Sequence, residues 1–460
     1  MQQIIPRAYG IYGKYLTRFR GIPFNVDCLT CVQRRLLLVL YEVSRKNFVK
    51  SAKIVGQLIG SYHPHGDQSA YKTLINLGQQ GFIDKQGNWG SEALIDTKAA
   101  AYRYTECKLS KWVKDLAFDY LDYVPWEDYE FEKEPLFLPS PLPLGLIGNQ
   151  IHTGIAFHRA LMPKYTISDL AKRLTDLLNN ETHKSIIEPN IKGCHVQSKN
   201  KQHENINQFE EILVHGKGRI KVIPNGELFK NRVRIYGRAP NTTFSDLINA
   251  CKQPERGKQK ELPAHLVDFS KKGINIEVIP DKRNIDITKL AVLIWEKYLN
   301  KEYNINIVVS NHEGTPIECG VDTILIENYN AWKSAVYDYN IDVAHKLFEK
   351  KKHMCIIYII REIIKKYDVK DLQSIKKYFQ QDFANNVIQL EEFDKSNNTW
   401  KTIDVELTND DIESVYGRKT IKSLVEINID LQQIDIDIQN QKKTIQNTDV
   451  DCFNHVKSLI

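Results

Sequence analysis

The sequence predicts an α+β protein of several domains, and three observations carry that prediction. The chain has 460 residues, too many for one ordinary core and enough for about three units. From about residue 165 to 330, amphipathic segments such as ISDLAKRLTDLL alternate with short strand-like runs, GRIKVIP, RVRIYGRAP, INIEVIP and INIVVS, the pattern of an α+β domain. Beyond Tyr329 the apolar spacing becomes helical. Hydrophobic residues at 42% and charged residues at 26% match a soluble globular chain and exclude a disordered or fibrous one.

Taken in order, the N-terminus MQQIIPRAYGIYGKY lacks a basic segment followed by a long apolar run, so no secretory signal is expected. Gln33 to Val43, QRRLLLVLYEV, reads as a helix with a basic entry. Lys50 to Tyr62 places Ala52, Val55, Ile59 and Tyr62 at helical spacing and leaves Lys50, Lys53 and Gln57 on the other side. Two short helices of this kind resemble a helix-turn-helix unit. At HPHGD, Pro64 and Gly66 end the second helix and Asp67 is placed to cap a third, QSAYKTLINLGQQ. The turn DKQGNWGSE then leads to AAAYRYTECKL, residues 99 to 109, where a helix is expected to begin near Thr105. In the last third, Ile356, Ile359, Ile360, Ile363 and Ile364 share one helical face, and Leu424, Ile427, Leu431, Ile434 and Ile438 step by three and four like a coiled-coil seam. IDIDI at 434 to 438 also alternates like a strand, so residue pattern alone leaves both readings open. The most apolar stretch, Met354 to Ile360, is broken by Arg361 and is far shorter than the roughly 20 residues a bilayer requires.

Eight cysteines occur mostly singly, which without an export signal predicts reduced thiols and a cytoplasmic location. Cys28 and Cys31 have metal-ligand spacing, and His63 with His65 is the pair nearest to completing a zinc set. No second CxxC exists, so the pattern leaves metal binding open and no metal site is assigned. The net charge is +6, and basic residues outnumber acidic ones over residues 1 to 110, with Arg34, Arg35, Arg45, Lys46, Lys50 and Lys53 close together. The stretch KDLAFDYLDYVPWEDYEFEKE that follows is acidic. Such asymmetry fits an N-terminal unit that holds a polyanion.

Tyr102 and Tyr104 flank Arg103 where small residues give way to charged ones. That context invites a chemical reading, and on composition the two tyrosines are equally eligible for it. QRRLL, KSAKIVGQLIGSYHPHGDQSAY, QGNWGS, AAAYRYTE and TGIAF, in that order, together resemble the DNA breakage-reunion subunit of type IIA topoisomerases, the family of gyrase A and topoisomerase IV A subunits. The match covers the first third by motif and the rest by organisation.

The resemblance implies a winged-helix breakage domain over 1–135, an α+β tower domain over 136–328, and a coiled-coil and exit-gate dimerisation domain over 329–460. It identifies Tyr104 as the nucleophile that forms a 5′-phosphotyrosyl link and Arg103 as the residue that stabilises charge on the phosphate. Tyr102 is then left to packing or DNA contact. His63 and His65 match the pair that holds the scissile phosphate, Arg20, Arg34, Arg35 and Lys53 match DNA-backbone contacts, and Ile155 matches the intercalating isoleucine. The family's activity needs Mg²⁺ and ATP, neither held by this chain and both held by an ATPase/TOPRIM partner. The implied assembly is A₂B₂ on double-stranded DNA, with two copies of this chain and no membrane.

Several positions depart from the family pattern. Thr30 and Gln33 stand where a lysine and a histidine are common, which puts some backbone grip in doubt. Gln68 and Lys72 replace the serine and acid that anchor quinolones, so weak quinolone trapping of cleavage complexes is expected. With no C-terminal β-pinwheel expected after the coiled coil, relaxation and decatenation are expected in place of negative supercoiling. The short form resembles the breakage subunit of phage topoisomerases, which would act in a bacterial host cytoplasm.

Overall fold

The structure, a computed structural model, describes residues 4–44, 47–64, 66–129, 132–148, 152–155, 159–181, 184–199, 207–252, 260–271, 273–382, 387–416 and 424–460. Arg45, Lys46 and His65 lie outside the described residues. The chain forms two compact units, residues 1–332 with 454–460, and residues 333–453. Helices and antiparallel sheets both contribute, as the α+β reading expects.

The first unit begins with α1 (Ile4–Leu16), a π-helical turn (Thr17–Gly21) and α2 (Cys31–Ser44). Leu36, Leu37, Leu38, Val39 and Leu40 are all at most 1% exposed, so the middle of α2, apolar on every side, is buried on every side. Its start is closed by Gln33, whose side-chain oxygen accepts from the Thr30 N–H and hydroxyl, both at 3.0 Å. Half of a capping box is thereby formed, and this is the role of the two residues that depart from the family pattern. β1 (Val49–Lys50) leads into α3 (Ser51–Gln57), which continues as a π-helical turn to Tyr62, and α4 spans Asp67–Gln79. Asp67 does not cap α4: Gly66 occupies the N-cap position and Asp67 is the first helical residue.

β2 (Ile83–Gln86) and β3 (Glu106–Leu109) complete a three-stranded sheet in the order β1-β3-β2, with Val49 opposite Cys107 and Ile83 opposite Leu109. The expected helix start at Thr105 is therefore corrected to a strand. Cys107 is 0% and Leu109 6% exposed while their neighbours face outward, a period of two that only a strand satisfies. After α5 (Lys111–Ala117), β4 (Trp126–Tyr129) and β5 (Glu132–Pro135) form a hairpin.

Next, β6 (His152–Ile155) and β7 (Arg159–Met162) pair as a second hairpin, and α6 (Ile167–Leu178) follows, its first turn capped by Thr166, which accepts from the Asp169 N–H. The strand-like runs then form as expected. β8 (Cys194–Ser198), α7 (Gln208–His215), β9 (Lys217–Pro224), β10 (Gly226–Leu228), β11 (Val233–Ile235), α8 (Ser245–Cys251), β12 (Ala264–Asp268), β13 (Ile276–Pro280), α9 (Ile287–Ile294), β14 (Lys301–Asn306), β15 (Val308–Ser310) and β16 (Pro316–Glu318) come in that order. They build a five-stranded sheet β6-β7-β14-β9-β8 and a four-stranded sheet β10-β11-β13-β12. The latter is closed by α8 and α9 around Ile235, Leu262, Ala264, Ile276, Val278 and Ile294, each 0% exposed.

α10 (Val321–Tyr367) starts in the first unit, where Arg173 of α6 holds Asp322 through Nε at 2.8 Å and Nη2 at 2.6 Å. In the second unit, α11 (Leu372–Asp382), a hairpin of β17 (Val387–Asp394) and β18 (Thr399–Glu406), α12 (Asn409–Tyr416) and α13 (Leu424–Lys457) follow, the last turn of α13 from Asn454 belonging to the first unit. Asn340 bonds Thr448 at 3.1 Å and Lys351 meets Asp435 at 2.6 Å, so α10 and α13 run antiparallel there. Residues 434–438 are helical: Ile434 and Ile438 are 1% exposed, but Ile436 is 54% exposed, the signature of a step of four rather than of alternation.

Candidate active site

The segment from Ala100 to Thr105 is a turn held from behind by backbone bonds. The Ala100 N–H donates to Asn88 O at 3.0 Å, the Ala52 N–H to Tyr102 O at 3.2 Å, and the Ser51 N–H to Thr105 O at 2.9 Å. The Tyr104 N–H closes the turn on Ala101 O at 2.8 Å. Side chains add a second layer of support. Thr105 is fully buried and donates to Ser51 Oγ at 2.8 Å, and the Tyr71 hydroxyl lies 2.9 Å from Thr105 Oγ1 and donates to Ala100 O at 2.7 Å.

QGNWGS packs against the same turn, which is why it accompanies the tyrosine motif. Trp89 is 5% exposed and leans on Tyr71 with ring centroids 6.2 Å apart. Gly87 has φ +93°, and a Cβ there would lie 2.9 Å from Tyr104 O. Only glycine adopts that backbone and allows that approach without strain.

What the turn presents outward is Arg103 and Tyr104. Tyr104 is 63% exposed, and the Arg103 guanidinium carbon lies 4.7 Å from its ring centroid. Arg103, by hydrogen bonding and then by its charge, draws the Tyr104 phenol below the usual tyrosine pKa. A phenol so placed is open to solvent and biased toward the phenolate, the nucleophilic form of a tyrosine. Tyr102 faces the other way. Its hydroxyl donates to Asp67 Oδ2 at 3.1 Å, and its ring meets Tyr71 edge-on at 5.7 Å.

The remaining predicted residues separate into three groups. Lys53 is exposed on α3, and Gln68 and Lys72 are exposed on α4. Arg20 lies in the Thr17–Gly21 turn and Ile155 ends β6 opposite Arg159, but the side chains of both lie outside the described residues. Arg34 and Arg35 require correction, because neither reaches the surface. Arg34 is 4% exposed and clasps Asp27 through Nε at 2.7 Å and Nη2 at 2.9 Å. Burial opposes its charge, but Asp27 outweighs burial and pushes the guanidinium pKa up. Arg35 is 1% exposed and holds Glu134 at 2.5 and 2.8 Å.

Arg35 nevertheless serves the site. Its Nη1 lies 2.9 Å from His63 Nδ1, and because a guanidinium only donates, Nδ1 accepts and the neutral ring carries its proton on Nε2. Arg35 thus orients a histidine in place of gripping DNA. Cys28 and Cys31 are buried thiols whose pKa values burial pushes up, and Cys31 Sγ donates to Arg18 O at 3.1 Å. Of the other two members of the zinc set, His63 meets Arg35 and His65 lies outside the described residues. Among the described residues no three His, Cys, Asp or Glu side chains cluster as metal ligands.

Sequence reasoning did not find Tyr71, Gly87 and Glu134 as parts of the site, nor the role of Asp67. Only the glycine left a local signal, its place in QGNWGS.

A family model for the A subunits of DNA gyrase and topoisomerase IV matches residues 20–457. Among DNA topoisomerase 4 A subunits, that of Haemophilus influenzae is 28% identical over 345 residues, 71% of this chain and 45% of the relative. The Salmonella typhimurium protein of the same name is 27% identical over 347 residues, with the same shares. A Staphylococcus aureus protein of that name is 34% identical over 193 residues, 39% of this chain and 24% of the relative. The chain spans about half the length of the first two relatives. Because the family match takes in nearly the whole chain, Tyr104 and its supporting turn included, this protein belongs to the family of DNA gyrase and topoisomerase IV A subunits.

Proposed function

We propose that the chain is the DNA-cleaving subunit of a type IIA topoisomerase and that Tyr104 is its nucleophile. One observation carries the reading: a 63% exposed tyrosine, its phenol pKa lowered by an adjacent arginine, on a turn whose backbone is anchored on both sides. The Tyr104 phenol loses its proton and its oxygen attacks a backbone phosphorus. The bond from phosphorus to the 3′ oxygen breaks, leaving a 3′-hydroxyl and a 5′-phosphotyrosyl link, and the reverse attack by that hydroxyl reseals the strand. Arg103 stabilises the charge that develops on the phosphate, and His63, oriented by Arg35, binds beside it. Lys53, together with Arg20 and His65, is assigned to the DNA backbone and Ile155 to the wedge between base pairs.

Two copies each cut one strand, so that a second duplex passes through a staggered break. Relaxation and decatenation are the products assigned. By the family pattern, Mg²⁺ and ATP are assigned to a TOPRIM/ATPase partner in an A₂B₂ complex. The domain assignment follows the family: breakage over 1–135, tower over 136–328, coiled coil and gate over 329–460.

The test mixes the chain, such a partner, Mg²⁺ and supercoiled plasmid, quenches with detergent, and scores protein on 5′ ends. Wild type is expected to form adducts and Tyr104→Phe none. Adducts that persist in Tyr104→Phe, or tight DNA binding without adducts in wild type, overturn the reading.

A further inference from the structure

The second tyrosine of the motif is left without a role by the cleavage chemistry, and its position supplies one. Tyr102 is the side chain that joins the turn bearing Arg103 and Tyr104 to the first residue of α4, through its hydroxyl on Asp67 Oδ2 at 3.1 Å. Asp67 closes the loop that begins at His63. The bond therefore spans the two halves of the site, the nucleophile on one side and the histidine held by Arg35 on the other. The backbone of the turn is fixed to α3 and to the 86–91 loop, but none of those ties reaches the start of α4. Tyr71, one turn further along α4, supports the ring edge-on at 5.7 Å and holds Ala100 O.

Resting on the reading of Tyr104 as nucleophile, we propose that Tyr102 is a positioning residue whose hydrogen bond to Asp67 sets the distance between the Tyr104 turn and the His63 loop. In-line attack needs the phenol oxygen and the phosphorus aligned within a fraction of an ångström, and a misplacement of about 1 Å costs on the order of 100-fold in rate. Donating its proton to a carboxylate also keeps the Tyr102 hydroxyl from competing with Tyr104.

The experiment measures single-turnover cleavage, DNA affinity and thermal midpoint in the complex with the partner subunit. Tyr102→Phe keeps the ring and removes only the hydroxyl. It is expected to slow cleavage about tenfold, with DNA affinity and thermal midpoint unchanged. Asp67→Ala is expected to do the same, and the double variant to be no slower than either single one, because both remove one interaction. Asp67→Asn, whose amide oxygen still accepts the phenol proton, is expected to recover most of the rate. Cleavage by Tyr102→Phe at the wild-type rate overturns the proposal, as does a fall in DNA affinity and thermal midpoint in step with cleavage. Tyr104→Phe runs alongside: adducts from that variant defeat the nucleophile assignment itself, whereas their loss with a fully active Tyr102→Phe defeats only the positioning role.

Discussion

Arg103 and Tyr104 are adjacent in sequence, and their chemistry is coupled by that adjacency. Hydrogen bonding and charge from Arg103 lower the Tyr104 phenol pKa, so cleavage by the proposed nucleophile is expected to speed up with pH through a midpoint below the ordinary tyrosine value of about 10. Arg103→Ala is expected to move that midpoint upward and to slow cleavage by about 100- to 1000-fold, read from a pH series of single-turnover rates. Lys164 is a charge of the opposite kind, buried and outside the site. It is 2% exposed, donates to Gly145 O, and burial pulls its pKa from 10.5 down to about 8, with nearby Cys28 acting weakly in the other direction. The unfolded chain therefore holds this proton more tightly than the folded one. Between about pH 8 and 10.5 stability rises with pH, and below 8 the full penalty, about 3 kcal/mol, applies. Lys164→Met is expected to raise the thermal midpoint at pH 7 and to lose its advantage by pH 10.

At the scale of elements, the site is a turn, a loop and two helix starts brought together by the small sheet β1-β3-β2. Gly87 shows how tightly they meet. Gly87→Ala forces a Cβ to within 2.9 Å of Tyr104 O at φ +93°, and cleavage is expected to fall while α3, with Lys53, continues to bind DNA. Single-turnover cleavage beside a DNA titration reads both. The helices were legible where apolar residues step by three and four, as from Ala52 to Tyr62 and in the run Ile356 to Ile364. The strand at Glu106–Leu109 was missed because four residues are too few for periodicity to declare itself, and pairing with β1 and β2 decided it. The reading of 434–438 stayed open for the same reason, until burial of Ile434 and Ile438 without Ile436 settled it.

The whole chain divides into two units with their own cores. In the second, the β17–β18 hairpin, which carries no family motif, packs Phe393 and Trp400 on Tyr337, Ile341 and Ala344 of α10 and on Ile445 of α13. Lys442 of α13 reaches Glu391 of the hairpin at 2.6 Å. The hairpin therefore straps the two long helices together. Phe393→Ala, which empties a site only 3% exposed, is expected to cost about 3–5 kcal/mol. Calorimetry is expected to show one of two transitions moving down and the other staying in place, and a single transition moving as a whole would show that the two cores melt together.

The amino-acid sequence by itself determined the α+β class, the order of the motifs and the placing of Arg103 between Tyr102 and Tyr104, because these depend on local periodicity and on residues adjacent in the chain. Tertiary structure alone decided what Arg34, Arg35 and Tyr102 do. A basic run reads as a surface until the carboxylates that meet it are known. Asp27 lies seven positions from Arg34, Glu134 lies 99 from Arg35, and Asp67 lies 35 from Tyr102. Once folding brings the two arginines within hydrogen-bond reach of their carboxylates, charge that would have faced solvent is buried with its partner. Arg34 then braces the core, Arg35 meets a histidine, and Tyr102 ties the turn that bears Tyr104 to the first residue of α4.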